Sequence, residues 1–252
     1  MLIAINNTGE NYLILLMFGY RKLSFDIFQL LKNLYETIRT TMDSENKTSI
    51  AIGCKVCNKY KVTKLLGGGS YGCVHEVIEL KTGDRYAMKS EYSSMKKPIL
   101  LNELKVMKAI YTFSSQHVLK VRDMGVHGST KFIIMQMLEK NMDEVFELLG
   151  GSMTLNTAVA TSYQCLEGLE FMHWAGFLHR DIKPNNYCLD ANSGQGLRTI
   201  YIIDYGICKR FVDNNNVIRQ PRKITKFRGT LDFAPIVSHE LREHSRGSDL
   251  ES

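Results

Sequence analysis

The sequence predicts an α+β fold of two lobes, a small β-rich lobe followed by a larger α-rich one. Beyond residue 50, strand-like runs and one amphipathic helix come first, and mainly helical patterning follows. The chain has 252 residues, 44% hydrophobic and 23% charged, which suits one or two globular domains rather than disorder. Neither an internal repeat nor a long low-complexity tract interrupts that order.

Residues 1–50 differ from the rest and are expected to form a partly helical extension with a polar linker. The apolar run Tyr12–Phe18 (YLILLMF) is too short for a span, which needs roughly 20 apolar residues. Arg21 and Lys22 follow that run, whereas a signal peptide carries its basic residues ahead of it. A soluble or peripheral segment is expected. Ser24 is placed to cap a helix to about Arg39, with Ile27, Leu30, Leu31, Leu34 and Ile38 on one face. That helix would pack on the main domain, or the stretch is not native to the protein; a targeting or docking role has less support. Thr40–Ser49 is polar and reads as the linker.

The main domain is expected over 51–252, with the small lobe at about 58–138 and the large one at 139–252. Tyr60–Leu66 alternates as a strand, a glycine cluster follows, and Cys73–Leu80 is a second strand. Thr82-Gly83-Asp84 turns the chain into a third, Arg85–Ser90. Pro98 is suited to the first turn of a helix reaching Tyr111. Lys131–Met137 is β-rich, and Thr154–Trp174 reads as a long, mostly buried helix.

Three clusters carry chemistry. Gly67-x-Gly69-x-x-Gly72-x-Val74 lies between two predicted strands, where glycines let backbone N–H groups approach phosphate oxygens. A plain hairpin turn and a Rossmann turn are the alternatives, but a Rossmann turn leads into a helix and here a strand follows. Lys89 sits on the third strand, and Glu103 lies fourteen residues on, sharing a helix face with Leu100, Leu104 and Met107. A carboxylate on an apolar face needs a partner, and Lys89 is the natural one. The strongest block is His179-Arg180-Asp181-Ile182-Lys183-Pro184-Asn185-Asn186, with Asp204-Tyr205-Gly206 beyond it. Asp181 can accept a hydroxyl proton, Lys183 can neutralise a transferred phosphoryl group, and Asn186 and Asp204 can ligate Mg²⁺. Either block alone could be a solvated Asp/Asn-rich loop; both together, after the glycine loop, argue for phosphoryl transfer.

The set GGGSYGCV, AMKSE, Glu103, HRDIKPNN and DYG resembles a protein kinase domain, so the two-lobed fold is expected to be protein-kinase-like. HRDIK is similar to the Ser/Thr class. FIIMQMLEKNMDEVF, GFLHRDIKPNNYCL, FRGT and DLES resemble the casein kinase I superfamily, closest to its tau-tubulin kinase-like branch. The resemblance implies ATP and Mg²⁺ as cofactors and protein Ser/Thr hydroxyls as substrates. It implies that Met135 guards the adenine pocket, that backbone groups of Gln136 and Leu138 bind adenine, and that Val74, Ala87 and Cys188 sandwich the ring. Leu66, Gly67, Gly69 and Gly72 would cover the nucleotide, and Lys89 would meet its phosphates. Gly229-Thr230 would floor the substrate site. DLES would open a hydrophobic central helix, with Asp249 anchoring the catalytic loop. The sequence stops at Ser252, so the expectation is an incomplete large lobe with exposed apolar surface.

Departures from the pattern are few. Tyr205 replaces Phe, which needs one partner for its hydroxyl. Ala234-Pro235-Ile236 lacks a Glu that the superfamily also lacks, and Asp232 follows GTL where Arg or Tyr is expected. Lys209, Arg210, Arg219, Arg222, Lys223, Lys226 and Arg228 form a basic segment, either a solvated loop or a pocket for acidic or already phosphorylated substrates. The net charge of +6 is modest and does not argue for nucleic acid. Cys54-Lys55-Val56-Cys57 has no second pair or finger-spaced histidines, so its thiols read as spare. The six scattered cysteines read as reduced and intracellular, so a cytoplasmic location is expected, with the nucleus as a further alternative. Two function classes stand: an active Ser/Thr kinase, and a truncated or non-catalytic kinase-like binding module.

Overall fold

The computed structural model describes residues 49–69, 71–92, 99–113, 116–190 and 198–252. The chain divides into units 1–47 and 48–252, and the described residues belong to the second. The expected apolar run, the helix from Ser24, nearly all of the linker, and Pro98 lie outside the described residues.

Strands β1 (Lys55–Val56), β2 (Tyr60–Gly68), β3 (Gly72–Glu79) and β4 (Arg85–Glu91) lead to helix α1 (Ile99–Tyr111). β5 (Val121–His127) and β6 (Thr130–Gln136) complete one antiparallel sheet of spatial order β1-β2-β3-β4-β6-β5. The β3–β4 turn closes because Gly83 takes φ 81°, with the Glu79 N–H donating to the Asp84 carbonyl at 2.9 Å. Period-two alternation sorts the strands into two faces. Val62, Val77, Met88, Phe132 and Ile134 bury one face with Tyr60 and Val56. Val74, Ala87, Lys89, Ile133 and Met135, neighbours by register, make the other. α1 lies with Leu100, Glu103, Leu104, Val106, Met107 and Ile110 buried. Its first turn is tied to the end of β4 by the Leu100 N–H, which donates to the Glu91 carboxylate at 2.9 Å.

Beyond the sheet come β7 (Leu138–Asn141), α2 (Met142–Leu148), α3 (Leu155–Trp174) and β8 (Phe177–Leu178). A 3₁₀ turn (Pro184–Asn186), β9 (Tyr187–Asp190), β10 (Ile200–Ile202) and β11 (Lys209–Arg210) follow, then α4 (Ile236–His239) and α5 (Arg246–Glu251). Asn141 and Glu144 form a capping box that starts α2, and Thr154 caps α3. Small sheets β10-β9-β7 and β11-β8 hold the loops between these helices. The main core runs from α1 and β6 through Leu169 and Met172 of α3 to Tyr187, Ile200 and Ile202.

The reading of α3 as mostly buried is corrected. Only Gly168, Leu169 and Met172 are buried, whereas Leu155, Val159, Tyr163, Leu166 and Trp174 are each more than half exposed. One face packs on α1, β8 and β10. Apolar residues occur all round this helix, so its pattern alone did not distinguish the packed face.

Gly72 occupies a position without room for a side chain, since a Cβ there would lie 1.8 Å from the Ser90 carbonyl oxygen. Gly72→Ala is therefore expected to cost about 2 kcal/mol by urea unfolding. Gly69→Ala, whose Cβ would meet nothing within 4 Å, should change stability by less than about 0.5 kcal/mol. Equal midpoints for the two variants would show that β3 and β4 separate at no cost.

Candidate active site

The glycine loop joins β2 to β3, and the Gly69 N–H donates to the Gly72 carbonyl at 3.0 Å. Gly67 and Gly69 face open space where a Cβ would stand, while Leu66 is exposed beside them. Val74 and Ala87 lie on the sheet face below, and Met135 pairs with Ala87 across β4 and β6. Met135, Ala87 and Cys188 are buried, and Val74, Gln136 and Leu138 are half-buried. The Gln136 N–H already donates to the Lys120 carbonyl at 3.1 Å, so a base docked there would meet its carbonyl instead.

Lys89 joins three elements. Its Nζ lies 2.7 Å from Glu103 Oε1 on α1 and donates at 2.9 Å to Asp204 Oδ1. Glu103 is 3% exposed. Burial works against the Lys89 charge, but the two carboxylates outweigh it and raise its pKa. Burial pushes the Glu103 carboxyl up, opposed chiefly by Lys89. The Lys89 ammonium holds the Asp204 carboxyl down at about 2. Gly206 makes this approach possible, because a Cβ there would lie 3.2 Å from Glu103 Oε1. Asp204 itself takes φ 63°, a left-handed conformation costing roughly 1–2 kcal/mol.

The catalytic loop hangs from Asp249. This carboxylate is 1% exposed and accepts the His179 and Arg180 N–H groups and His173 Nε2, each at 2.9 Å. Arg180 takes φ 70° between these anchors, and its Nε donates to the Ile207 carbonyl at 2.8 Å. His179 Nε2 reaches the Ile203 carbonyl at 3.0 Å, while its Nδ1 accepts the Asp181 N–H. These partners assign the proton to Nε2.

Asp181 is engaged through both oxygens. Thr230 Oγ1 donates to Oδ1 at 2.8 Å and in turn accepts from Lys183 Nζ at 2.8 Å. Lys183 Nζ also lies 3.3 Å from Oδ2. Asn186 Nδ2 donates to the Asp181 carbonyl at 2.8 Å and to Oδ2 at 3.3 Å. Gly229, at φ 102°, brings the Thr230 segment against the loop, where a Cβ would lie 3.0 Å from the Arg180 carbonyl oxygen. The structure thus assembles Lys89, Glu103 and Asp204 as one group and Asp181, Lys183, Asn186 and Thr230 as another.

The donor set fits Mg²⁺ and a nucleotide. Asn186 spends its NH₂ on Asp181, which leaves its amide oxygen as the acceptor, and the exposed Asp204 carboxylate adds hard oxygen. Asn186 and Asp204 would hold the metal, which supplies charge neutralisation for phosphate. The open space over Gly67 and Gly69 suits phosphates, with Lys89 below it.

The basic segment is more fully paired than its sequence implies. Glu243 binds Lys209 at 2.7 Å and Arg222 at 2.6 Å. Burial alone would raise the Glu243 carboxyl, but its Arg222 and Lys209 hydrogen bonds together hold it at about 2. The buried Ser238 accepts the Arg228 N–H at 3.0 Å and donates to the Arg228 carbonyl at 2.5 Å. Sequence reading missed Glu243, Ser238, His173 and the Asn185–Asp143 hydrogen bond. Nothing in the sequence signals them, since their partners lie from ten to seventy-six residues away along the chain, beyond the reach of local periodicity.

Residues 60–250 match the protein kinase domain family, and the chain belongs to that family. It is similar to a probable serine/threonine-protein kinase of Dictyostelium discoideum, 30% identical over 201 residues. That match covers 79% of this chain but 40% of the relative, so the chain spans about two fifths of that protein's length.

Asp249→Ala leaves two buried N–H groups without their acceptor and is expected to destabilise by about 2–4 kcal/mol in urea unfolding; unchanged stability would show the loop is held otherwise. Glu243 has its carboxyl lowered from 4.5 to about 2, so its contribution is complete above about pH 4.5 and lost as pH falls toward 2. The stability gap between wild type and Glu243→Gln should therefore be widest above pH 5 and shrink on acidification. A gap that grows at low pH would contradict the pairing.

Proposed function

We propose that this chain is a Ser/Thr protein kinase that moves the γ-phosphoryl group of Mg·ATP to protein hydroxyls, of the casein kinase I type and nearest its tau-tubulin kinase-like branch. The observation that carries the reading is the Asp181–Thr230–Lys183 triad beside Asn186, facing the Lys89–Glu103–Asp204 group. Bound Mg·ATP supplies the phosphoryl group and the metal charge. Asp181 accepts the proton of the attacking hydroxyl, and Lys183 offsets charge developing on the transferred group. Lys89, held by Glu103, orients the phosphates, and Asn186 and Asp204 hold the metal. Leu66, Val74, Ala87, Met135 and Cys188 enclose the adenine. The similarity to the Dictyostelium protein supports the Ser/Thr class, and the branch rests on the sequence resemblance. All six cysteines are free thiols, in keeping with a cytoplasmic or nuclear protein.

Acidic or primed substrates are part of this reading. Lys223 and Lys226 are exposed, three to seven residues ahead of Gly229-Thr230 along the chain, whereas Arg222 is committed to Glu243. Lys223→Glu with Lys226→Glu is expected to lower kcat/KM for a primed peptide about tenfold more than for its unprimed twin; equal loss on both would exclude the preference.

The direct test is phosphate transfer to a Ser/Thr peptide. Asp181→Asn should lower kcat by a hundredfold or more while leaving ATP affinity within about twofold. Transfer that survives the substitution would remove Asp181 as the base. A wild-type chain that binds Mg·ATP without any transfer would establish a non-catalytic module.

A further inference from the structure

Between β10 and β11, the turn that carries Asp204 is held by something its motif does not ordinarily require. Tyr205 is 1% exposed, and its hydroxyl donates to the Ile202 carbonyl at 2.6 Å. The bond closes the chain back over Ile203 and Asp204, the latter at φ 63°. A left-handed non-glycine residue persists only when its surroundings over-determine it. The surroundings here include the His179 Nε2 bond to the Ile203 carbonyl and the Cys208 N–H donating to the Tyr205 carbonyl at 3.2 Å. The Tyr205 ring sits 6.1 Å from the His179 ring in the main core. A phenylalanine ring would occupy the same volume but could not make the hydroxyl bond, leaving two of these three hydrogen bonds.

We propose that Tyr205 is a positioning residue, whose hydroxyl latches the turn to the Ile202 carbonyl and so keeps Asp204 directed at Lys89 and the metal site. Turning the segment over would take the hydroxyl from a buried acceptor, leaving it unpaired in the core or carrying the ring into water. The latch therefore favours the Asp204-in arrangement before any nucleotide arrives. The metal half of this inference rests on the function proposed above; the latch itself does not.

Hydrogen exchange on the full chain, without ligand, tests the latch. Tyr205→Phe is expected to speed exchange of the amides of Ile203–Cys208 about fivefold, the factor a single buried hydrogen bond supplies, with the rest of the protein unchanged. Calorimetric titration with ADP should show the Mg²⁺-dependent gain in affinity falling by a similar factor, with metal-free ADP affinity unaltered. If Tyr205→Phe exchanges like wild type while Tyr205→Leu opens the segment, ring packing holds the turn and the proposal fails. If exchange quickens but the Mg²⁺ gain does not move, the hydroxyl does not position Asp204, and the proposal fails there too. Wild-type ADP affinity indifferent to Mg²⁺ would instead count against the metal role of Asp204, and the exchange result would still decide the latch.

Discussion

The Lys89 ammonium is the point on which the site depends. It is mostly buried, and a lone buried cation would lose its proton or pull in water. Two carboxylates from separate elements resolve this, Glu103 from α1 and Asp204 from the turn after β10. Those contacts link strand, helix and turn without covalent connection. Asp204 shares Lys89 with Glu103, yet its side chain stays partly exposed. A divalent cation arriving at Asp204 meets a carboxylate already ionised far below neutral pH.

Around that centre, the backbone adopts conformations that side-chain anchors make tolerable. Arg180 and Asp204 both take positive φ without being glycine. Asp249 holds the first through two N–H bonds, and His179 and Tyr205 hold the second through the Ile203 and Ile202 carbonyls. Glycines serve where a neighbour comes too close, at Gly72 against Ser90, at Gly206 against Glu103 and at Gly229 against the catalytic loop. The loops are thus tied down where charged groups are held, an arrangement of the kind electrostatic preorganisation needs.

Pairing also reduces the charge that the segment 209–228 leaves free. Seven basic residues in sequence suggest a broad cationic surface. Glu243 neutralises two of them at hydrogen-bond distance, and the Arg228 backbone is tied to Ser238. Lys223 and Lys226 are among the cations left exposed.

Much of this was legible in the sequence. Short-range patterns marked the turn at Gly83, the buried face of α1 with Glu103 among its apolar neighbours, and the extent of α3 to within a residue, because each depends on residues within a turn or two. The chemistry of the site was legible for a related reason: Asp181, Lys183 and Asn186 lie close together in one loop, and with the glycine loop before them and Asp204 after them their order suggested joint action. The tertiary structure decided which face of α3 is covered, which N–H groups Asp249, the anchor expected from the resemblance, accepts, and that Glu243, Ser238 and the Ile202 carbonyl are further anchors of the loops. A hydrogen bond between groups seventy residues apart leaves no periodicity behind, and a helix apolar on every side does not say which side meets the core.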